Sequence, residues 1–220
     1  MKNFTNEIYK FANLLLGEEC FAFSRFSDGE LRMMQSVPII IEKNRALNNG
    51  VEVNGYWGEE ELKNFDPETD KEYQTILTEC FKFRKHNYFK GICCKCCVGH
   101  QDWDWQFEHV LEEEPDDPHL TWANLCINNN YRSYLKEIVP RFSEYPVVVV
   151  ANRSSKLEGL PFYNNIVKWF PIGNNCYKED YHLIEEMKEW VATNKVTKHL
   201  FLFAAASLSN YLIYELYKNY

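Results

Sequence analysis

An α/β domain with a mainly parallel sheet and flanking helices is the fold this sequence predicts. Two apolar runs, Val147-Val148-Val149-Val150 and Leu200-Phe201-Leu202-Phe203-Ala204, suit strands buried on both faces, and stretches of helical spacing alternate with such runs. The 220 residues suffice for one such domain with a full core, and 45% of them are hydrophobic. No internal repeat and no linker divides the chain, so residues 1–220 read as a single domain.

The elements follow in order. Thr5 caps a first helix through Leu16, with Gly17 as its stop signal. Cys20 to Phe26 is the first strand, and the turn Asp28-Gly29-Glu30 opens a short helix at Leu31-Arg32-Met33-Met34. Residues 37–58, with Asn44, Asn48, Asn49, Asn54 and three glycines, read as a long irregular loop. Pro67-Glu68-Thr69-Asp70 begins a helix to Phe83, and Tyr88 to Val98 reads as a second strand. Gly99 to Pro118 is polar and aromatic and reads as a loop that ends in the acidic run Glu112 to Asp117. Thr121 to Ile138 has helical spacing and stops before Pro140. Val147 to Val150, Ile166 to Phe170 and Leu200 to Ala204 complete about five strands. Helices at Glu179 to Ala192 and from Ser207 to Tyr217 flank the last of them.

The chain carries a formal net charge of -8, which argues against a nucleic-acid partner because such proteins present a basic face. No segment reaches the length of a membrane span, and Met1-Lys2-Asn3-Phe4-Thr5 lacks a secretory apolar region with a cleavage site. These features point to the cytoplasm, where the 8 cysteines stay reduced and the sequons at Asn3 and Asn152 carry no glycan. Four cysteines crowd into Cys93-Cys94-Lys95-Cys96-Cys97, with His100 behind them. Two overlapping C-x-x-C pairs suit zinc, yet adjacent cysteines on an extended segment face opposite ways, so all four do not readily reach one ion. Small buried apolar thiols are the plainer account.

Chemistry concentrates at Ser24-Arg25-Phe26-Ser27-Asp28-Gly29-Glu30-Leu31. Carboxylates at Asp28 and Glu30 follow a strand, where open α/β sheets bind ligands, and Arg25 adds a permanent cation. A hard divalent metal prefers such oxygen ligands and completes its shell with substrate phosphates. Ser27 and Glu30 equally fit a capping box, and the two roles are compatible. There is no G-x-G-x-x-G, no Walker loop and no G-x-S-x-G, so dinucleotide, NTPase and hydrolase readings lose support.

The run Phe23 to Glu30 resembles the start of the GT-D-type glycosyltransferases, which carry an Asp-x-Glu motif after their first strand. Tyr88-Phe89-Lys90-Gly91-Ile92, Thr121-Trp122-Ala123-Asn124 with Asn128 and Tyr131, Val147 to Asn152, and Leu200 to Ser207 resemble later parts of the same pattern. Ser27 stands where that family usually has Gly, and Ala205-Ala206-Ser207 where members often have a Gly-rich turn. The resemblance implies a Rossmann-like fold and a hexosyltransferase that uses Mn2+ (or Mg2+) and a nucleotide-sugar donor. Asp28 and Glu30 would then hold the metal. A uridine or deoxythymidine diphosphate, UDP above all, would lie at the carboxyl ends of the strands near Arg25, Ser27, Asn152, Arg153 and Ser207. The acceptor, a glycan or glycoprotein, would meet residues 100–108, where Asp102 and then Asp104 are the candidate bases for an inverting transfer. Trp103 and Trp105 would stack on it. Two alternatives stay open: a metal-dependent phosphohydrolase or nucleotidyl enzyme using the same carboxylates, and a non-catalytic zinc-stabilised interaction module.

Overall fold

The structure, a computed structural model, describes residues 3–17, 19–42, 45–48, 51–53, 62–112 and 114–219. Helix α1 (Phe4–Leu16) leads into β1 (Ala22–Arg25) and α2 (Asp28–Met34). Four short strands follow, β2 (Ile39–Glu42), β3 (Arg45–Asn48), β4 (Val51–Val53) and β5 (Lys63–Phe65), and then α3 (Lys71–Lys82). β6 (Tyr88–Ile92), α4 (Lys95–Gln106), β7 (Leu120–Trp122) and α5 (Tyr131–Glu137) occupy the middle of the chain. β8 (Val147–Asn152), β9 (Ile166–Ile172), α6 (Cys176–Glu179), α7 (Leu183–Thr193), β10 (Leu200–Phe203) and α8 (Ala206–Asn219) complete it.

The result is a mixed α/β fold on two small parallel sheets. In one, β6 lies between β1 and β7, with Ala22 opposite Tyr88 and Lys90 opposite Leu120. In the other, β8 lies between β10 and β9, with Val147 opposite Leu200 and Val150 opposite Phe170. A strand covered on both faces must be apolar at every position, and β8 shows how the period of two divides the core. Val147 and Val149 pack with Ile8, Phe11 and Leu15 of α1. Val148 and Val150 pack with Ile184 and Met187 of α7 and Leu208 and Leu212 of α8. β6 splits in the same way, Phe89 toward α1 and Ile92 toward the opposite cluster. Helix α1 meets the sheets along one stripe, since residues 8, 11, 12 and 15 recur every three or four positions.

Four segments differ from the sequence expectation. Residues 37–58 contain strands rather than a plain loop. β3 pairs antiparallel with β2 and β4, and β2 also pairs with β5; residues 43–44, 49–50 and 54–61 lie outside the described residues. The β-branched run Ile39-Ile40-Ile41 fits a pleated, half-buried surface, and it outweighs the asparagines and glycines around it. β6 ends at Ile92 instead of Val98, because Cys93 and Cys94 leave the ladder and Cys94 caps α4.

The polar segment after Gly99 is helical, α4 running on through a π-turn at Phe107–Leu111. Its burial at Trp103, Gln106, Val110 and Leu111 follows helical spacing that a polar composition hides. Gly99 has φ 80° and ψ 177°, which kinks α4 after its first turn. Lastly, Thr121 belongs to β7, where Leu120, Thr121 and Trp122 are all buried against β6, and only Tyr131–Glu137 of that stretch is α-helix. No helix of the described residues is long and apolar enough to cross a membrane.

Candidate active site at the end of the first parallel strand

β1 delivers Arg25 to the carboxyl edge of its sheet, and Phe26 anchors the exit by burying its ring and donating its N–H to Gly91 O at 2.8 Å. Ser27 is the N-cap of α2 and forms the expected capping box with Glu30. The Ser27 N–H donates to Glu30 Oε2 at 2.8 Å, so one oxygen of this buried carboxylate is already used by the backbone. Asp28 is exposed. A short chain of donors links it to Arg25: Arg25 Nη2 donates to Ser27 Oγ at 2.9 Å, and Ser27 Oγ–H donates to Asp28 Oδ1 at 2.8 Å. Arg25 Nε also donates to Ala123 O at 2.7 Å, which fixes the guanidinium across the ends of β1 and β7. From the far side, Asn210 of α8 donates through Nδ2 to Arg25 O at 2.8 Å and to Ser24 Oγ at 3.0 Å.

One neighbour was hidden from sequence reasoning. A methyl group placed on Gly29 would stand 3.3 Å from Lys63 Nζ, so an ammonium from β5 lies over the Asp28-Gly29-Glu30 turn. Thirty-odd residues and an antiparallel sheet separate the two in sequence, and an isolated lysine in a polar stretch carries no signal. Beneath the turn, burial pushes the Cys93 thiol up to about 12, helped by the Asp28 and Glu30 carboxylates, so this cysteine is a neutral thiol. The Tyr73 hydroxyl is likewise held well above its ordinary value, first by burial and in part by Glu30.

The other expected residues are distributed unevenly. Ser207 lies one turn before Asn210 in α8 but is fully buried, where its Oγ accepts from Tyr73 O–H at 3.1 Å. Asn152 ends β8 in the second sheet, and Arg153 follows it. Asn152 Oδ1 accepts from Ser154 N–H at 2.9 Å and its Nδ2 donates to Asn174 Oδ1 at 2.6 Å, while Arg153 Nε donates to Ile172 O at 3.4 Å. Both thus serve the β8–β9 edge. Asp102 is nearly buried and ion-paired, 2.8 Å from Arg32 Nη2, and accepts from Gln35 Nε2 at 2.9 Å; it ties α4 to the end of α2. Asp104 is exposed, with Lys95 Nζ 3.9 Å away. Trp103 is not an exposed stacking face: it is buried against Trp122 and Phe107. Trp105 stacks with His109 at 5.1 Å on the half-exposed side of α4.

Among the described residues, one group of three or more Cys, His, Asp or Glu converges to metal-ligand spacing: Cys94, Cys96 and Cys97. Asp28 and Glu30 carry hard carboxylate oxygens, the donor type that Mg2+ and Mn2+ prefer. Comparisons with protein-family models, with curated proteins and with solved structures return no match.

Proposed function

We propose that this chain is a metal-dependent glycosyltransferase of the GT-D type, moving a hexose from a nucleotide-diphosphate sugar, UDP-linked by preference, to a glycan or glycoprotein acceptor. One observation carries the reading. An exposed carboxylate, Asp28, stands at the exit of a parallel strand with the Arg25 guanidinium joined to it through Ser27 and the Lys63 ammonium over the next residue. Leaving-group departure from a sugar nucleotide needs little from the protein beyond charge compensation at the diphosphate. Asp28, with Glu30 beside it, would hold Mn2+ or Mg2+, which would supply Lewis-acid neutralisation there. Arg25 and Lys63 add two cations, and Asn210 keeps Arg25 in place through its carbonyl. On the acceptor side, Asp104 is the base with access to solvent, whereas Asp102 acts by holding α4 against α2. Arg153, Asn152 and Ser207 enter as supports of the strand ends.

Thermal-shift and calorimetric titration with UDP-sugars, with and without Mn2+, tests the proposal. The expected result is a metal-dependent stabilisation that Asp28→Asn abolishes while its own melting temperature stays near the parent's. No metal-dependent shift with any nucleotide sugar at millimolar concentration would overturn it.

A further inference from the structure

The turn from β6 into α4 carries a second constellation, distinct from the carboxylate turn. Cys94, the N-cap of α4, and Cys96 and Cys97 of its first turn place their Sγ atoms within 4.8 Å of one another. Cys94 Sγ and Cys97 Sγ are 3.2 Å apart, Cys96 Sγ and Cys97 Sγ 4.0 Å, and Cys94 and Cys96 are at bonding distance as a disulfide. Cys93 is excluded, because its side chain turns to the opposite face and lies 3.7 Å from Phe26 O in the core. Adjacent cysteines do face opposite ways at the Cys93–Cys94 step, but the start of the helix then gathers the other three. A second observation points at the same place. Asn124, just after β7, has its Nδ2 3.9 Å from Cys97 Sγ, and its buried Oδ1 has no hydrogen-bond partner among the described residues.

We propose that Cys94, Cys96 and Cys97, once reduced, form a three-thiolate zinc site whose fourth position holds a water, with the Asn124 amide beside Cys97. Thiolates select soft or borderline ions over the Mn2+ or Mg2+ suited to Asp28, so the two sites do not compete for one metal. With Zn–S bonds of about 2.3 Å, a tetrahedral ion spaces its sulfurs about 3.8 Å apart. The 3.2 and 4.0 Å separations bracket that spacing, and the bonded Cys94–Cys96 pair opens to it once reduced. Binding expels the three thiol protons and leaves a Zn2+ held by three S− groups. The disulfide and the zinc complex exclude each other. A dithiol reductant supplies two electrons and two protons to open the Cys94–Cys96 bond and is itself oxidised to its disulfide, after which zinc enters. Cys96 and Cys97 are exposed, so both reductant and metal have access. Occupied, the site clamps the β6–α4 turn ahead of the Gly99 kink.

The test uses the full chain, reduced and desalted, with zinc alone as the probe. One equivalent of zinc by elemental analysis is expected. Cobalt substitution should give thiolate-to-metal charge transfer in the near ultraviolet and the visible bands of a tetrahedral ion. Cys97→Ser and Cys96→Ser, both at exposed positions, should weaken zinc binding by on the order of a hundredfold with circular dichroism unchanged. Cys126→Ser should leave it intact, and oxidation with diamide should release the metal. Zinc uptake equal in parent and Cys97→Ser, or a cobalt spectrum without thiolate charge transfer, would overturn the proposal.

Discussion

Glu30 has two roles assigned to one carboxylate, and a pair of substitutions separates them. In the structure its Oε2 accepts the Ser27 N–H at 2.8 Å, and the side chain is only 6% exposed. Glu30→Ala removes that acceptor, leaves the Ser27 amide without its partner and opens a small void. Loss of a cap interaction costs about 0.5–2 kcal/mol, and an unsatisfied, partly buried donor belongs to the upper half of that range. In a chain of this size about 1 kcal/mol moves the melting temperature by roughly 2–4 °C, so a fall of about 3–8 °C is expected. Glu30→Gln keeps the side-chain length and an amide oxygen for the same bond, so its stability should stay within about 1 kcal/mol of the parent. It removes the negative charge, however, and Mn2+-dependent affinity for a uridine nucleotide should fall at least about tenfold, since a carboxylate metal ligand is replaced by a neutral one. Differential scanning calorimetry gives the stabilities and isothermal titration the affinities. Unchanged metal-dependent affinity in Glu30→Gln would reduce Glu30 to a cap. A Glu30→Gln variant as unstable as Glu30→Ala would show that the charge, and not the hydrogen bond, supports the turn.

Asp102→Asn breaks a nearly buried ion pair to a half-exposed arginine and should cost about 1–3 kcal/mol in urea denaturation. Asp104→Asn should change stability by less than about 0.5 kcal/mol yet lower transfer about a hundredfold or more; unchanged transfer in both variants would remove α4 from the chemistry. Asp70 accepts from Asp66 N–H at 2.9 Å and Tyr177 O–H at 2.9 Å and pairs with Lys178 at 2.8 Å. Burial alone would raise its carboxyl, but these partners outweigh it and hold the pKa below its ordinary value. A depressed folded pKa contributes stability that is fully present above the unfolded value, about 3.9, and is lost as pH falls through the folded one. The stability gap between the parent and Asp70→Asn should therefore be constant from pH 7 to about 5 and shrink below about pH 4, as urea melts across that range will report. Gly99→Ala meets no atom within 4 Å of its new methyl but forces a side chain into a glycine-only backbone region; a loss of about 1–3 kcal/mol by thermal denaturation is expected, and a neutral result would mean that the kink relaxes freely.

Local chemistry in the sequence determined a good deal by itself. Short apolar runs rich in β-branched and aromatic residues suit strands, so Val147–Asn152 and Leu200–Phe203 were legible without any partner, although Leu200–Phe203 is half-buried at every position rather than covered on both faces. Ser27 and Glu30 share one helical turn, and their capping box follows from spacing alone. The presence of Arg25 beside Asp28 needed no more than two residues of chain. Tertiary contacts decided the rest, because they join groups that no local pattern relates. Leu120–Trp122 has too few residues to announce a strand and becomes one through pairing with Lys90–Ile92. Lys63 reaches Gly29 only because an antiparallel sheet returns β5 to the start of α2. Asp102 looked like a reactive acid in a polar loop, and the helix around it turned it inward onto Arg32. The cysteine run shows both halves at once: alternation along the chain said that all four sulfurs would not reach one ion, but only the structure showed that Cys93 is the one left out, because the helical turn that follows brings Cys94, Cys96 and Cys97 together.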